Sequence, residues 1–422
     1  MTDRTVRAVD AWEVLDSRGD PTVRVRVETG SGAGVFTVPS GASTGTHEAV
    51  EVRDGGDRYG GRGVRGAVRV VRDDLAPAVV GRAVTRQRSI DEAMVDRDGT
   101  PDLSRLGANA VLGVSGAVAH AAADALGEPL YRYLAPGTPG RVPLPMVNVL
   151  SGGLHADGGM DVQDVLVVPA GADTYTEAVE TAWEVRTAVG ERIRERGGRL
   201  LVADEGGFAP PLSGVEEAFD LVTGGIRDAG HRPATDDVAL AVDVAATHFH
   251  EDGRYAPASA DGPLGTAAFV DLIAGWVEAY PIVSVEDPLA EDDWAGWRAL
   301  ADRVGVQVLG DDLLVTDRAR LSRAVEADAA DAVLVKPNQA GTLSRAVDVV
   351  EAAQEAGVAP VVSARSGETC DATTADLAVA LDAGQIKIGS LARSERLAKY
   401  NRLLGIEHRA DPGYAGPDAL AL

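Results

Sequence analysis

The chain has 422 residues, 45% of them hydrophobic and 25% charged, which describes a globular protein with room for a large domain and a smaller one. A formal net charge of -25 argues against nucleic acid as a partner, and the absence of any run of about 18 apolar residues argues against a membrane span. Cys370 is the only cysteine, so no internal disulfide can form, and with no signal peptide at the start a cytoplasmic setting is expected.

Alternating stretches open the chain: VRAVDAWEVL, TVRVRVETG and AGVFTVP read as an antiparallel meander. Helical patterns follow, among them the alanine-rich LGANAVLGVSGAVAHAAADAL. The Gly/Pro-dense segment LAPGTPGRVPLP then marks a boundary, giving a capping domain at 1–136 and a catalytic domain at 137–422.

Beyond the boundary, short β-branched runs alternate with helical stretches. The runs are VNVLSGG, DVLVVPAG, LLVADEGG, VALAVDVAA, IVSVEDP, VQVLGDD, AVLVKPN, APVVSARS and GQIKIGS. Such alternation predicts a mainly parallel sheet, and about eight units fit a closed β/α barrel better than an open doubly wound sheet. No GxGxxG follows a strand, which also speaks against the open sheet. The expected fold is therefore α/β: a C-terminal (β/α)8-type barrel with an N-terminal α+β capping domain.

Polar residues close most of these runs: Glu205, Asp243, Glu286, Asp311, Lys336, Arg365 with Ser366, and Lys387. In a parallel barrel these ends meet at the face where active sites form. A single acid there could equally be a helix N-cap. Asp243, Glu286 and Asp311 offer three hard oxygen ligands without histidine or cysteine, which favours magnesium. Lys336 lies 25 residues after Asp311, as Asp311 does after Glu286, so the three belong to neighbouring strands.

Only three of the 40 basic residues are lysines, Lys336, Lys387 and Lys399. Lys399, in SERLAKYNRLL, is expected to be a surface cation. Beside a divalent metal the pKa of Lys336 would fall, making it a candidate general base. Acid, metal and lysine together suggest proton abstraction next to a carboxylate.

Several long stretches resemble the enolase family: VPSGASTGTHEA, DEGGFAP, SVEDPLAEDDW, GDDLLVT, LVKPNQAGTLSRA and RSGET…TADLAVA…AGQIK. The resemblance implies reversible dehydration of 2-phosphoglycerate, with two magnesium ions per site. It places Asp243, Glu286 and Asp311 on the first ion, and Ser43, in a closing loop, at the second. Lys336 would take the proton from carbon 2, and Glu205 would protonate the leaving hydroxyl. Arg365 and Ser366 would hold the phosphate and Lys387 the carboxylate end, with His155 near the phosphate and Gln163 near the carboxylate and metal. Family members are commonly homodimers, so a homo-oligomer is expected.

The chain departs from the family pattern at four places. Ala364 replaces the histidine of Ser-His-Arg-Ser, and Asp164 replaces the glutamate of Gln-Glu. Ser151 stands for an asparagine, and His248 for a glutamate. Asp164 is shorter by about 1.5 Å, and a displacement of roughly 1 Å can cost about 100-fold in rate. On these grounds the preferred reading is a paralogue acting on a phospho- or phosphono-glycerate analogue, of the carboxyphosphonoenolpyruvate-forming type. The alternatives are a housekeeping enolase and a non-catalytic binding protein.

Overall fold

The protein is described by a computed structural model covering residues 3–41, 45–135, 137–156, 160–257 and 259–422. The opening meander is present: β1 (Val6–Leu15), β2 (Pro21–Thr29) and β3 (Ala33–Thr37) pair antiparallel in that order. The helix Ala108–Leu126 lies across β2 and β3. Its row of alanines and glycines is almost wholly buried, because small side chains let a helix backbone approach a sheet closely. A core of its own, including Val25, Phe36, Leu75, Ile90 and Val111, holds this part together.

Eight strands then close a barrel in chain order: β4 (Leu144–Ser151), β5 (Asp164–Pro169), β6 (Val238–Asp243), β7 (Ile282–Glu286), β8 (Gln307–Gly310), β9 (Ala332–Val335), β10 (Ala359–Ser363) and β11 (Gln385–Gly389). Every strand from β6 onward is parallel to its neighbours in the ring, except that β6 meets β5 antiparallel. β5 is antiparallel to both β4 and β6. The β4–β5 connection contains only a single 3₁₀ turn among its described residues, and antiparallel strands need no crossover helix.

One predicted run did not become a barrel strand. In LLVADEGG only Val202 pairs, through an isolated bridge to Phe208, and Leu201 is 60% exposed. The segment is a loop that carries Glu205 over the barrel mouth.

Small aliphatic side chains such as Leu166, Ala241, Val283, Leu334 and Val361 fill the barrel interior. Towards the opposite end Gln307, Ser284 and Gln385 hydrogen-bond to one another, and the C-terminal segment joins them through Ala419 O and Ala421 N. A second apolar layer, with Trp297, Phe219, Leu300 and Tyr400, separates the strands from the surrounding helices. Four of those helices are N-capped by Thr174, Asp293, Asp317 and Thr342. None of the carboxylates singled out at strand ends does this work, so the capping explanation does not account for them.

The meander domain meets the barrel mouth at Ser40 and Gly367, which form an antiparallel bridge. A Cβ on Gly367 would lie 2.4 Å from Asp16 Oδ2 and 2.6 Å from Ser40 O, so only glycine permits this approach.

Candidate active site

Strand register brings the site together. Ser151 is opposite Asp164, Asp164 opposite Asp243, and Asp243 opposite Glu286, a single row across four strands at one mouth of the barrel. Asp311 and Lys336 follow β8 and β9 directly, on neighbouring strands as their spacing predicted. Lys387 lies on β11 opposite Ser363. All these side chains are buried except that of Lys336, which is nearly so.

Lys387 Nζ donates to Asp243 Oδ2 at 2.8 Å and to Glu286 Oε2 at 2.6 Å. Gln163 Nε2 donates to the same Asp243 oxygen at 3.1 Å. Lys336 Nζ donates to Asp311 Oδ2, and Gln339 Nε2 to Asp311 Oδ1 at 2.9 Å. Burial pulls the Lys336 ammonium down, but Asp311 outweighs it and the group stands above its usual range. With Asp311 as its partner Lys336 is therefore charged; the lower value expected from the sequence belongs to the group beside a divalent metal.

The donor set fits a hard cation. Asp243, Glu286, Asp311 and Gln163 offer only oxygen, and Glu286 Oε1 and Gln163 Oε1 are both buried with no hydrogen-bond partner. Burial and the neighbouring Asp243 push the Glu286 carboxyl well above its usual range, which leaves it wanting positive charge. Asp287, Asp311 and Asp312 also bring three oxygens within 4.8 Å of one another. Asp287 is already spent, however, accepting from the backbone amides of Asp311 and Asp312 at 2.8 Å each.

On the other side of the mouth, His155 Nδ1 pairs with Asp164 Oδ2 at 2.9 Å, and its Nε2 lies 3.9 Å from Glu205 Oε1. Burial pulls the imidazolium down, yet Asp164 and Glu205 push its pKa up to about 9. Burial raises the Glu205 carboxyl, but His155, Arg396, Lys387 and Lys336 together hold it below its usual range. Glu205 is thus ionised, with a protonated imidazole beside it.

Arg365 and Ser366 are buried in the loop after β10. The guanidinium makes a fork on Glu48, at 3.0 and 3.3 Å, and also reaches Asn338 Oδ1 at 3.0 Å. A cleft of about 530 Å³, lined by Pro39, Gly45, Thr46, Glu48 and Asn338, opens beside these partners. Ala364 is buried, and its amide donates to Lys387 O at 2.9 Å. Ser43 lies outside the described residues.

Two family models match. One, described as "Enolase, N-terminal domain", covers residues 6–134, and the other, "Enolase, C-terminal TIM barrel domain", covers residues 140–420. A protein named Enolase from Acidothermus cellulolyticus is 51% identical over 417 residues, 97% of this chain and 96% of that protein. The chain belongs to the enolase family. It is accordingly a lyase, with the family's α/β barrel and N-terminal domain.

Against the enolase pattern, two of the four departures touch each other. Ser151 Oγ donates to Asp164 Oδ1 at 2.8 Å, and Asn148 Nδ2 donates to the same oxygen. His248 is exposed, though the charges of Asp243 and His155 still reach its imidazole. Reading the sequence missed Glu48, Asn338 and Gln339 as site partners, although they lie in the quoted stretches THEA and KPNQAG. It also misplaced Lys399, which is fully buried, with Nζ donating to Glu368 Oε2 at 2.6 Å.

Among the described residues no helix is long and apolar enough to cross a membrane.

Proposed function

We propose that the chain catalyses the magnesium-dependent dehydration of 2-phosphoglycerate to phosphoenolpyruvate. The observation that carries this reading is the convergence of Asp243, Glu286, Asp311, Lys336, Lys387, Glu205 and Arg365 on one barrel mouth. Identity of 51% to a protein named Enolase, along nearly the whole chain, favours it over the paralogue reading preferred from the residues alone.

In this reading Arg365 and Ser366 bind the phosphate, and Lys387 neutralises the carboxylate end of the site. Lys336, aimed by Asp311 and by the Thr316 hydroxyl on its backbone amide, would take the proton from carbon 2 as the neutral amine, having first released its own proton to solvent, a loss that a divalent cation on Asp311 would favour. Glu205 delivers a proton to the leaving hydroxyl, and His155, charged and 3.9 Å away, is its source. Magnesium held by Asp243, Glu286 and Asp311, with Gln163 beside them, supplies the positive charge that lets a carboxylate-bearing carbon lose a proton. A second ion near Ser43 belongs to the same proposal, as do the homo-oligomeric state and the division at 136/137.

Ala364 favours a second reading. Where the family carries an imidazole beside the anion-binding arginine, this chain has a methyl group. That change suits a phosphono-glycerate with an extra substituent, dehydrated by the same residues.

The test is to supply purified protein with magnesium and 2-phosphoglycerate and follow ultraviolet absorbance of the enol product. Turnover supports the first reading. Absence of turnover, with dehydration of a phosphono analogue, replaces it with the second. Absence of both magnesium binding and turnover would leave a binding protein.

A further inference from the structure

The last long helix, Ser394–Ala410, sends two cations into the interior. Arg396 and Lys399 are both 0% exposed and lie three residues apart, on one helix face. Neither caps the helix, and neither belongs to the row of site residues on the strands. A cation buried completely costs heavily unless hydrogen bonds and charges compensate it, so what these two groups touch is informative.

Arg396 bonds to backbone carbonyls of three separate segments. Its Nη1 donates to Arg365 O at 2.6 Å and to Ile388 O at 3.2 Å. Its Nη2 donates to Ser366 O at 2.6 Å and reaches Asp204 O at 3.5 Å. The same guanidinium stands 4.0 Å from Glu205 Oε1. One planar group thus ties the anion-binding loop, the end of β11 and the loop of the acid residue. Lysine, a point charge on a flexible stem, could not replace that fork.

Lys399 holds the rest of the anion loop. Its Nζ donates to Glu368 Oε2 at 2.6 Å and to Thr369 O at 2.7 Å. Glu368 in turn accepts from the Arg365 amide at 3.2 Å and the Thr369 amide at 3.0 Å. Between them the two cations fix the backbone on both sides of Arg365. The packing behind them is tight: Gly389 has φ +102°, and a Cβ there would lie 2.7 Å from Glu205 O and 3.1 Å from Arg396 Cδ.

We propose that Arg396 and Lys399 are positioning residues, setting the anion-binding Arg365–Ser366 segment at a fixed distance from Glu205. The proposal deepens the functional reading above and rests on it. A site of this kind needs its anion clamp and its acid spaced to match one substrate, and a small misplacement costs rate. Because Lys399 reaches the anion loop and otherwise only Glu395 O of its own helix, at 3.1 Å, it governs binding. Because Arg396 reaches both loops, it governs binding and turnover together.

The test compares the parent chain with Lys399→Met, Arg396→Lys and Glu368→Gln, all with magnesium. Inorganic phosphate binding is measured by calorimetry, and KM and kcat are measured on 2-phosphoglycerate. Lys399→Met is expected to weaken phosphate binding and raise KM about tenfold, with kcat falling roughly threefold or less. Arg396→Lys is expected to lower kcat about tenfold in addition to a similar loss of binding. Glu368→Gln breaks the Lys399 link from the other end while keeping its shape, so it decides the matter should Lys399→Met not fold. Phosphate affinity and KM within twofold of the parent in Arg396→Lys and in either of the other variants would overturn the proposal. So would losses of kcat and KM that are equal in all variants and follow only their melting temperatures. A parent chain that binds phosphate but turns over no 2-phosphoglycerate overturns the function, and the calorimetry still decides the positioning role.

Discussion

Ser151 and Asp164 face each other across the β4–β5 pair, and the Ser151 hydroxyl donates to Asp164 Oδ1 at 2.8 Å. Both are positions where the resemblance drawn from the sequence implies other residues, asparagine and glutamate. The differences compensate: a shorter acid is met by a shorter donor, and Asn148 and His155 occupy the remaining valences of Asp164. Asp164 is 0% exposed, so each of its oxygens needs a partner.

The pair should therefore behave as one unit. Asp164→Glu alone overruns Ser151 and is expected to destabilise by about 1–3 kcal/mol, the range for overpacking a filled site. Ser151→Asn alone should do likewise. The double variant is expected to recover at least about 1 kcal/mol of the summed loss, measured by chemical denaturation. Additive effects, with a coupling below about 0.5 kcal/mol, would show that the two departures are independent.

Glu48 links the meander domain to the anion site, because its carboxylate takes the Arg365 fork and also accepts from Gln339. Removing one partner of a buried ion pair is strongly destabilising, even though Arg365 keeps its bond to Asn338. Glu48→Ala is therefore expected to cost roughly 3–5 kcal/mol of stability, where Arg365 paired with a surface carboxylate would cost about 1 kcal/mol or less. KM on 2-phosphoglycerate should rise as well, since Arg365 loses the group that orients it. A melting temperature and KM equal to those of the parent would remove Glu48 from the account of this site.

How much of this was legible differs by residue. The runs VALAVD, IVSVE, VQVLG, AVLVK, APVVS and GQIKIG became strands within a residue or two of their apolar limits, because a strand buried on both faces must be apolar throughout. The run LLVA looked the same, but four apolar residues do not make a strand without a neighbour. There the chain turns at Gly206, φ +89°, to bring Glu205 inward. Lys399 was readable by a signal that went unused. The helix buries positions 395, 396, 399, 400, 403 and 406, a helical stripe in which Arg396 and Lys399 take the second and third places. The Glu48–Arg365 pair spans 317 residues, and no local pattern announces a contact of that range.

Lys336 is the residue on which the proposed chemistry turns. Lys336→Met removes the base while keeping most of the side chain's length. Turnover of 2-phosphoglycerate is expected to fall by about 100- to 10,000-fold, with magnesium binding retained because Asp311 remains. Undiminished turnover on any substrate would overturn the assignment of the base. Loss of folding is not expected, since the Lys336 and Asp311 side chains are both partly open to the mouth and Gln339 still donates to Asp311 Oδ1.

The His155 imidazole carries the pH dependence that can be signed. Burial alone would lower its pKa, but Asp164 and Glu205 bring it to about 9, against an ordinary value of 6.5. A group with a raised folded-state pKa contributes stability that is fully present below the unfolded value and lost as pH rises through the folded one. The contribution of His155 is therefore complete below about pH 6.5 and fades up to about pH 9. Denaturation at about pH 6 and about pH 9.5, with magnesium chelated, should show the parent losing on the order of 1–3 kcal/mol that His155→Gln does not lose. Turnover should fall over the same interval, because deprotonating His155 removes the proton source beside Glu205. A His155→Gln variant whose stability declines with pH as steeply as the parent's would assign that dependence to other groups.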